Sequence, residues 1–133
     1  MSQENVERVR LAYEAFGRGD LTAAVADLAP RVEYVTGAGI PGVTGVARGP
    51  DGYIDMVRWL TDLFDDYQLT IEELRDAGDM VFGGLTLSGR GRRSGAETSL
   101  KMWQVWKVQE GKLTHGQGFT DRAAALAAAG LSD

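Results

Sequence analysis

The sequence predicts an α+β fold: a cone-shaped α+β barrel in which a curved, mostly antiparallel sheet carries three N-terminal helices on its concave face, with a short helix at the C-terminal end. Three observations predict it. Apolar residues recur at helical spacing only in the first half of the chain and at its very end. Between Tyr67 and Thr120 four alternating segments follow one another with only turn residues between them, the order of a meander whose sequential strands lie side by side. A chain of 133 residues supports a single core, so helices and strands must share it as one domain spanning 1–133. Helices laid across such a sheet leave a cone whose closed end is core and whose open end can hold a ligand.

Ser2 is a suitable N-cap for a first helix whose apolar face steps through Val6, Val9, Tyr13 and Phe16, and Gly17 and Gly19 end it. Asp20 caps a second helix with Leu21, Ala24, Val25 and Leu28 on one side, stopped by Pro30. Arg31 to Thr36 alternates as a first strand. A Gly-rich loop runs from Gly37 to Gly49, and Pro50 opens a third helix that extends to about Phe64. On that helix Tyr53, Met56, Val57, Leu60, Leu63 and Phe64 lie opposite a charged stripe, and Trp59 sits beside the charges. Tyr67 to Arg75, Met80 to Arg90, Glu97 to Val108 and Lys112 to Thr120 are the meander strands. Asp121 caps a last helix, Arg122 to Ala129, closed by Gly130.

The last two strands carry the candidate site. A two-residue turn at Glu110-Gly111 sets a register in which Val108 faces Leu113, Trp106 faces His115, Gln104 faces Gln117 and Met102 faces Phe119. Side chains alternate faces with period two, so one face of this hairpin gathers Gln104, Gln117 and the only histidine among large apolar neighbours. Polar groups converging inside an apolar wall describe a small-molecule pocket. His115 is its acid–base candidate, because no other side chain there titrates near neutrality. Gln104 is the orienting donor. Tyr13, Tyr34, Trp59, Met102, Trp106, Gln117 and Phe119 are the expected substrate-contacting residues. The other hairpin face exposes Trp103 and Val105 beside Lys101 and Lys107, an apolar patch that predicts a homodimer.

A net charge of −5 argues against nucleic acid, which needs clustered cations to neutralise phosphates. The absence of cysteine removes disulfides and thiolate chemistry, and a cytoplasmic protein without membrane attachment is expected. No metal or cofactor is expected either. Gly37 to Gly42 spells GxGxxG, but Pro41, Gly42 and Gly45 disfavour the helix that a pyrophosphate site requires directly afterwards. A rim over the cone is the better use of that loop.

Several segments together resemble the SnoaL-like branch of the nuclear transport factor two-like superfamily. They are Asn5-Val6 with Val9, Tyr13, Phe16 and Gly19-Asp20-Leu21; the turn Asp76-Ala77-Gly78-Asp79; Val105-Trp106 followed by Gly111-Lys112-Leu113; and Asp121-Arg122 with Ala129-Gly130-Leu131. The resemblance spans nearly the whole chain and implies the cone fold. It implies no single activity, since the fold hosts steroid isomerases, polyketide cyclases, epoxide hydrolases and dehydratases alike. Carried over from the steroid isomerases, the helix-one tyrosine would fall at Ala12, the general base at Thr36 and the second oxyanion donor at Gln104. One donor is retained in kind and the base is lost. The expectation is therefore a small-molecule-binding protein of this family, with two readings open. One is a cofactor-independent isomerase, cyclase or hydrolase acting on an apolar or polycyclic substrate through His115 and Gln104. The other is a non-catalytic binding or assembly module.

Overall fold

The computed structural model describes residues 2–36 and 45–132. The element order is α1 (Ser2–Gly17), α2 (Leu21–Ala24), β1 (Leu28–Val35), β2 (Val46–Arg48), α3 (Gly49–Thr61), β3 (Phe64–Ala77), β4 (Met80–Gly91), β5 (Glu97–Gln109), β6 (Lys112–Phe119) and α4 (Arg122–Ala128). The six strands form one curved sheet in the order β2-β1-β6-β5-β4-β3, antiparallel everywhere except between β1 and β6. The α+β class and the cone stand as expected, but the sheet is open, with β2 and β3 as edges, and is not a closed barrel.

Local chemistry places most boundaries. Asp20 and Asp121 accept hydrogen bonds from the backbone N–H groups of Ala23 and Ala124, capping α2 and α4 as their positions predicted. Pro50 sits in the first turn of α3. Glu110 and Gly111 both have positive φ (51° and 75°), the twist a tight two-residue hairpin demands. Three boundaries differ from expectation. Leu28 begins β1 instead of closing α2, so Pro30 lies inside the strand, in the stretch where pairing with β6 is irregular and its missing N–H is tolerated. Phe64 begins β3 rather than ending α3. Val46–Arg48 forms a short strand paired with β1 inside the segment read as loop. The GxGxxG stretch lies outside the described residues.

The inner face of the sheet packs against α1 and α3 around Val9, Val32, Val81, Leu87, Trp106 and Leu113. A second, smaller core forms on the outer face, where Ala125, Leu126 and Ala129 at and just beyond α4 cover Phe82 and Val105. Arg122 pins that helix with a two-pronged bond, Nε and Nη2 donating to Oε2 and Oε1 of Glu73, each at 2.8 Å. The outer patch expected to drive dimerisation is thus covered largely from within the chain, since Val105 is buried and Trp103 half-buried. Among the described residues the exposed valines of this sheet are Val35 and Val46.

The decisive departure is in the last hairpin. Val108 faces Leu113 as predicted, but Lys107 then faces His115, Trp106 faces Gly116, Val105 faces Gln117 and Trp103 faces Phe119. Thr114 is the extra residue of a β-bulge, and its hydroxyl reaches back to the Lys107 carbonyl at 3.4 Å. Leu113 ahead of it is held by its own N–H donating to Asp27 O at 2.8 Å, so the ladder gains a residue instead of sliding. A one-residue slip reverses every side chain beyond it. His115, Gln117 and Phe119 therefore leave the face that holds Gln104 and Trp106.

Candidate active site

Gln104 is the one polar or charged residue counted with the buried core among the described residues, and its surroundings define the site. On the neighbouring strands it faces Gly83 and Gly118, and the absence of side chains there leaves room for rings on the inner face. The Tyr13 hydroxyl drops from α1 over Gly83, where an added Cβ would lie 2.8 Å from it, and donates to Gln104 Oε1 at 2.7 Å. Trp106 Nε1 donates to the same oxygen at 2.9 Å, and Gln104 Nε2 donates to the Tyr34 hydroxyl at 2.9 Å. Indole N–H can only donate, so the atom facing Trp106 must be the amide oxygen, and this fixes which way the amide points. Tyr53, from α3, packs edge-on against both Tyr34 and Trp106, with ring centroids 5.3 Å and 5.6 Å away.

This cluster forms part of the wall of a hollow between sheet and helices. Tyr13 and Phe16 of α1, Tyr53, Met56, Val57 and Leu60 of α3, and Tyr34, Thr36, Leu69, Leu85, Met102 and Gln104 of the sheet side line it. The space is about 550 Å³ including its mouth, of which about 30 Å³ admits the centre of a water molecule. It is narrow, and the two methionines are the lining side chains best able to yield to a guest. Thr36 Oγ1 donates to the Gly45 carbonyl at 3.0 Å, so its proton is already committed. Among the described residues the lining contains no carboxylate, imidazole or ammonium. Among the described residues no group of three or more metal-ligating side chains comes together.

The family model for the SnoaL-like domain matches residues 9–116. The chain belongs to the SnoaL-like family. No curated protein matches it. A solved NTF2-like protein from Burkholderia thailandensis is 35% identical with a TM-score of 0.77, covering 96% of this chain and 97% of that one. Another, from Burkholderia pseudomallei, is 27% identical with a TM-score of 0.77 over 93% and 95% of the two chains. TerC, co-crystallised with polyporic acid, shares the fold at 24% identity, with a TM-score of 0.77 over 91% and 94%.

Of the residues the sequence singled out in this SnoaL-like chain, Tyr13, Tyr34, Met102, Gln104 and Trp106 converge at or directly behind the hollow. The others do not. His115 and Gln117 are exposed on the outer face, in a shallow groove with Glu33 and Lys107, and Phe119 belongs to the small outer core. Trp59 is 41% exposed on the solvent side of α3. Sequence reasoning missed Tyr53 as a site residue, although a tyrosine inside an otherwise apolar helix stripe implies a hydroxyl that needs somewhere to go. It also missed the glycines. Alternate Gly116 and Gly118 beside a strand rich in aromatics signal close approach of rings to the backbone, and hence the side on which those rings lie.

The site stays neutral over a wide range. Burial pushes the Tyr13 and Tyr34 hydroxyls well above the ordinary 10.0, and pushes Tyr53 up to about 12 against the opposing bond to Gln104. The fold holds these protons more tightly than the unfolded chain does. Their contribution to stability is therefore complete below pH 10 and is lost as pH rises from 10 through about 12. In an alkaline titration followed at 295 nm, phenolate absorbance should rise steeply together with loss of near-ultraviolet circular dichroism. A smooth midpoint at the ordinary tyrosine value with native dichroism would contradict this burial.

Proposed function

We propose that this SnoaL-like protein binds a small, uncharged, ring-bearing molecule between the inner sheet face and helices α1 and α3. The observation that carries the reading is a hydrogen-bonded polar cluster set in an apolar hollow whose lining, among the described residues, has nothing ionised near neutral pH. Such a wall rewards burial of an apolar ring and penalises any guest that arrives charged. TerC, a protein of the same fold, has been co-crystallised with the small molecule polyporic acid, which is in keeping with small-molecule binding.

Of the two readings the sequence left open, the binding module is the better supported. An isomerase, cyclase or hydrolase working through His115 would need that imidazole to reach the hollow, and it stands on the other face of the sheet. Tyrosines whose pKa values are raised are poor bases at neutral pH. The hollow is also narrow for the larger polycycles the family resemblance suggested.

Titration of ¹⁵N-labelled protein with tetralin, an uncharged two-ring hydrocarbon, tests the assignment. The indole N–H resonance of Trp106 should move, while those of Trp59 and Trp103 and the amides around His115 stay in place. Perturbation confined to the His115 face, or none up to the solubility limit, would refute it.

A further inference from the structure

The bulge that takes His115 away from the hollow assembles a different constellation on the outer face of the sheet, since bulges re-aim the side chains beyond them. Strand register sets Arg48, Glu33, His115, Lys107 and Met80 side by side in one row across β2, β1, β6, β5 and β4. Two residues along each strand, Val46, Val35, Gln117, Val105 and Phe82 form a second, mainly apolar row, about 7 Å from the first. A groove of about 600 Å³ including its mouth follows both rows, with Val35, Met80, Val105 and Ala128 as its apolar lining and Glu33, Lys107, His115 and Gln117 as its polar one. Its charges do not cancel. Arg48 Nε lies 3.4 Å from Glu33 Oε2, so that carboxylate is already met from the β2 side. Lys107, a half-buried residue, makes no ion pair among the described residues. The groove is therefore net positive on a chain whose overall charge is −5.

We propose that this outer groove is a second binding site, separate from the hollow, for a small organic carboxylate with an apolar body. The Lys107 ammonium takes the carboxylate beside His115, and the apolar row takes the body. The two rows match the two ends of such a molecule, and an ammonium that is partly withdrawn from water forms a stronger charged hydrogen bond than a fully solvated one. Other occupants match less of the groove. An organic cation would meet Lys107 and find Glu33 already engaged by Arg48. A neutral apolar molecule would cover the ammonium without pairing it. A compact inorganic anion would leave the apolar row in water. A second copy laid face to face would place its sheet about 10 Å above this one, in the layer that α4 already fills where it packs over Phe82 and Val105.

The test titrates ¹⁵N-labelled protein with hexanoate, with hexanol, which has the chain without the charge, and with acetate, which has the charge without the chain. Affinity is read from the backbone amides of His115, Gly116 and Gln117. Hexanoate should shift them saturably and bind about tenfold more tightly than hexanol, the scale of one charged hydrogen bond, and about tenfold more tightly than acetate, the scale of a few methylenes partly withdrawn from water. In Lys107→Gln, which breaks no ion pair, hexanoate should fall to the affinity of hexanol. Equal affinities for hexanoate and hexanol in the wild type, no saturable shift, or a preference that survives Lys107→Gln would each overturn the inference, and the wild-type comparison decides alone should the variant not fold. Hexanoate that moves the Trp106 indole resonance and leaves the groove amides in place would overturn it by placing the acid in the hollow. Groove amides that shift with protein concentration and ignore hexanoate would overturn it in favour of a second copy. Tetralin reports on the hollow through Trp106, so the two sites stand or fall separately.

Discussion

Gly116→Ala is expected to cost about 3 kcal/mol or more, the upper end of what overpacking a core does, and to lower the melting temperature on the order of 10 °C. Gly116 lies between Tyr34 on β1 and Trp106 on β5, directly opposite both. Their backbones are therefore two strand spacings apart, roughly 9.6 Å, yet their ring centroids approach to 5.4 Å by leaning over the glycine. A Cβ there would sit 2.6 Å from Trp106 Cζ3 and 2.7 Å from Tyr34 Cδ1. Neither ring can retreat, because Tyr53 packs against both. Urea denaturation reads the loss, and a variant within about 0.5 kcal/mol of the wild type, as for an ordinary surface change, would mean the rings do not meet above this residue.

Gln104→Leu should destabilise by a comparable amount, about 3 kcal/mol, for a different reason. Leucine fills most of the space but strands the Tyr13 hydroxyl and the Trp106 indole N–H, both buried and both now without an acceptor. Unsatisfied buried donors incur the full cost of their lost hydration. His115→Ala supplies the contrast. The imidazole is exposed on the outer face, where its Nδ1 lies 3.2 Å from the hydroxyl of neighbouring Thr114, and its removal should change stability by no more than about 0.5 kcal/mol. Equilibrium unfolding of both variants is decisive for the hairpin. Similar losses in the two would restore the unbulged register and put the imidazole back beside the amide.

The placement of individual residues shows where one-dimensional reasoning carries and where it stops. Helices α1 and α3, the caps at Asp20 and Asp121, the turn at Glu110-Gly111 and the four meander strands depend on residues close in sequence: apolar spacing, a carboxylate ahead of a helix, a positive φ next to glycine. Tyr13, Tyr34, Met102, Gln104 and Trp106 reached the site because period-two and period-3.6 patterns put them on inward faces. His115, Gln117 and Phe119 did not, because an alternation counted outward from a turn holds only until the first bulge.

The amino-acid sequence by itself determined the architecture, the SnoaL-like kinship and the inward-facing amide, since each follows from local conformational preference and from the need of an apolar stripe to be covered. The tertiary structure alone decided which face His115 occupies, which side chains gather around the Gln104 amide, and that α4 covers the outer patch. Those outcomes turn on Thr114 being extruded, on Leu113 being held by Asp27 and on Arg122 finding Glu73. They are balances between distant groups, with Arg122 and Glu73 forty-nine positions apart, and no local pattern in the chain encodes their result.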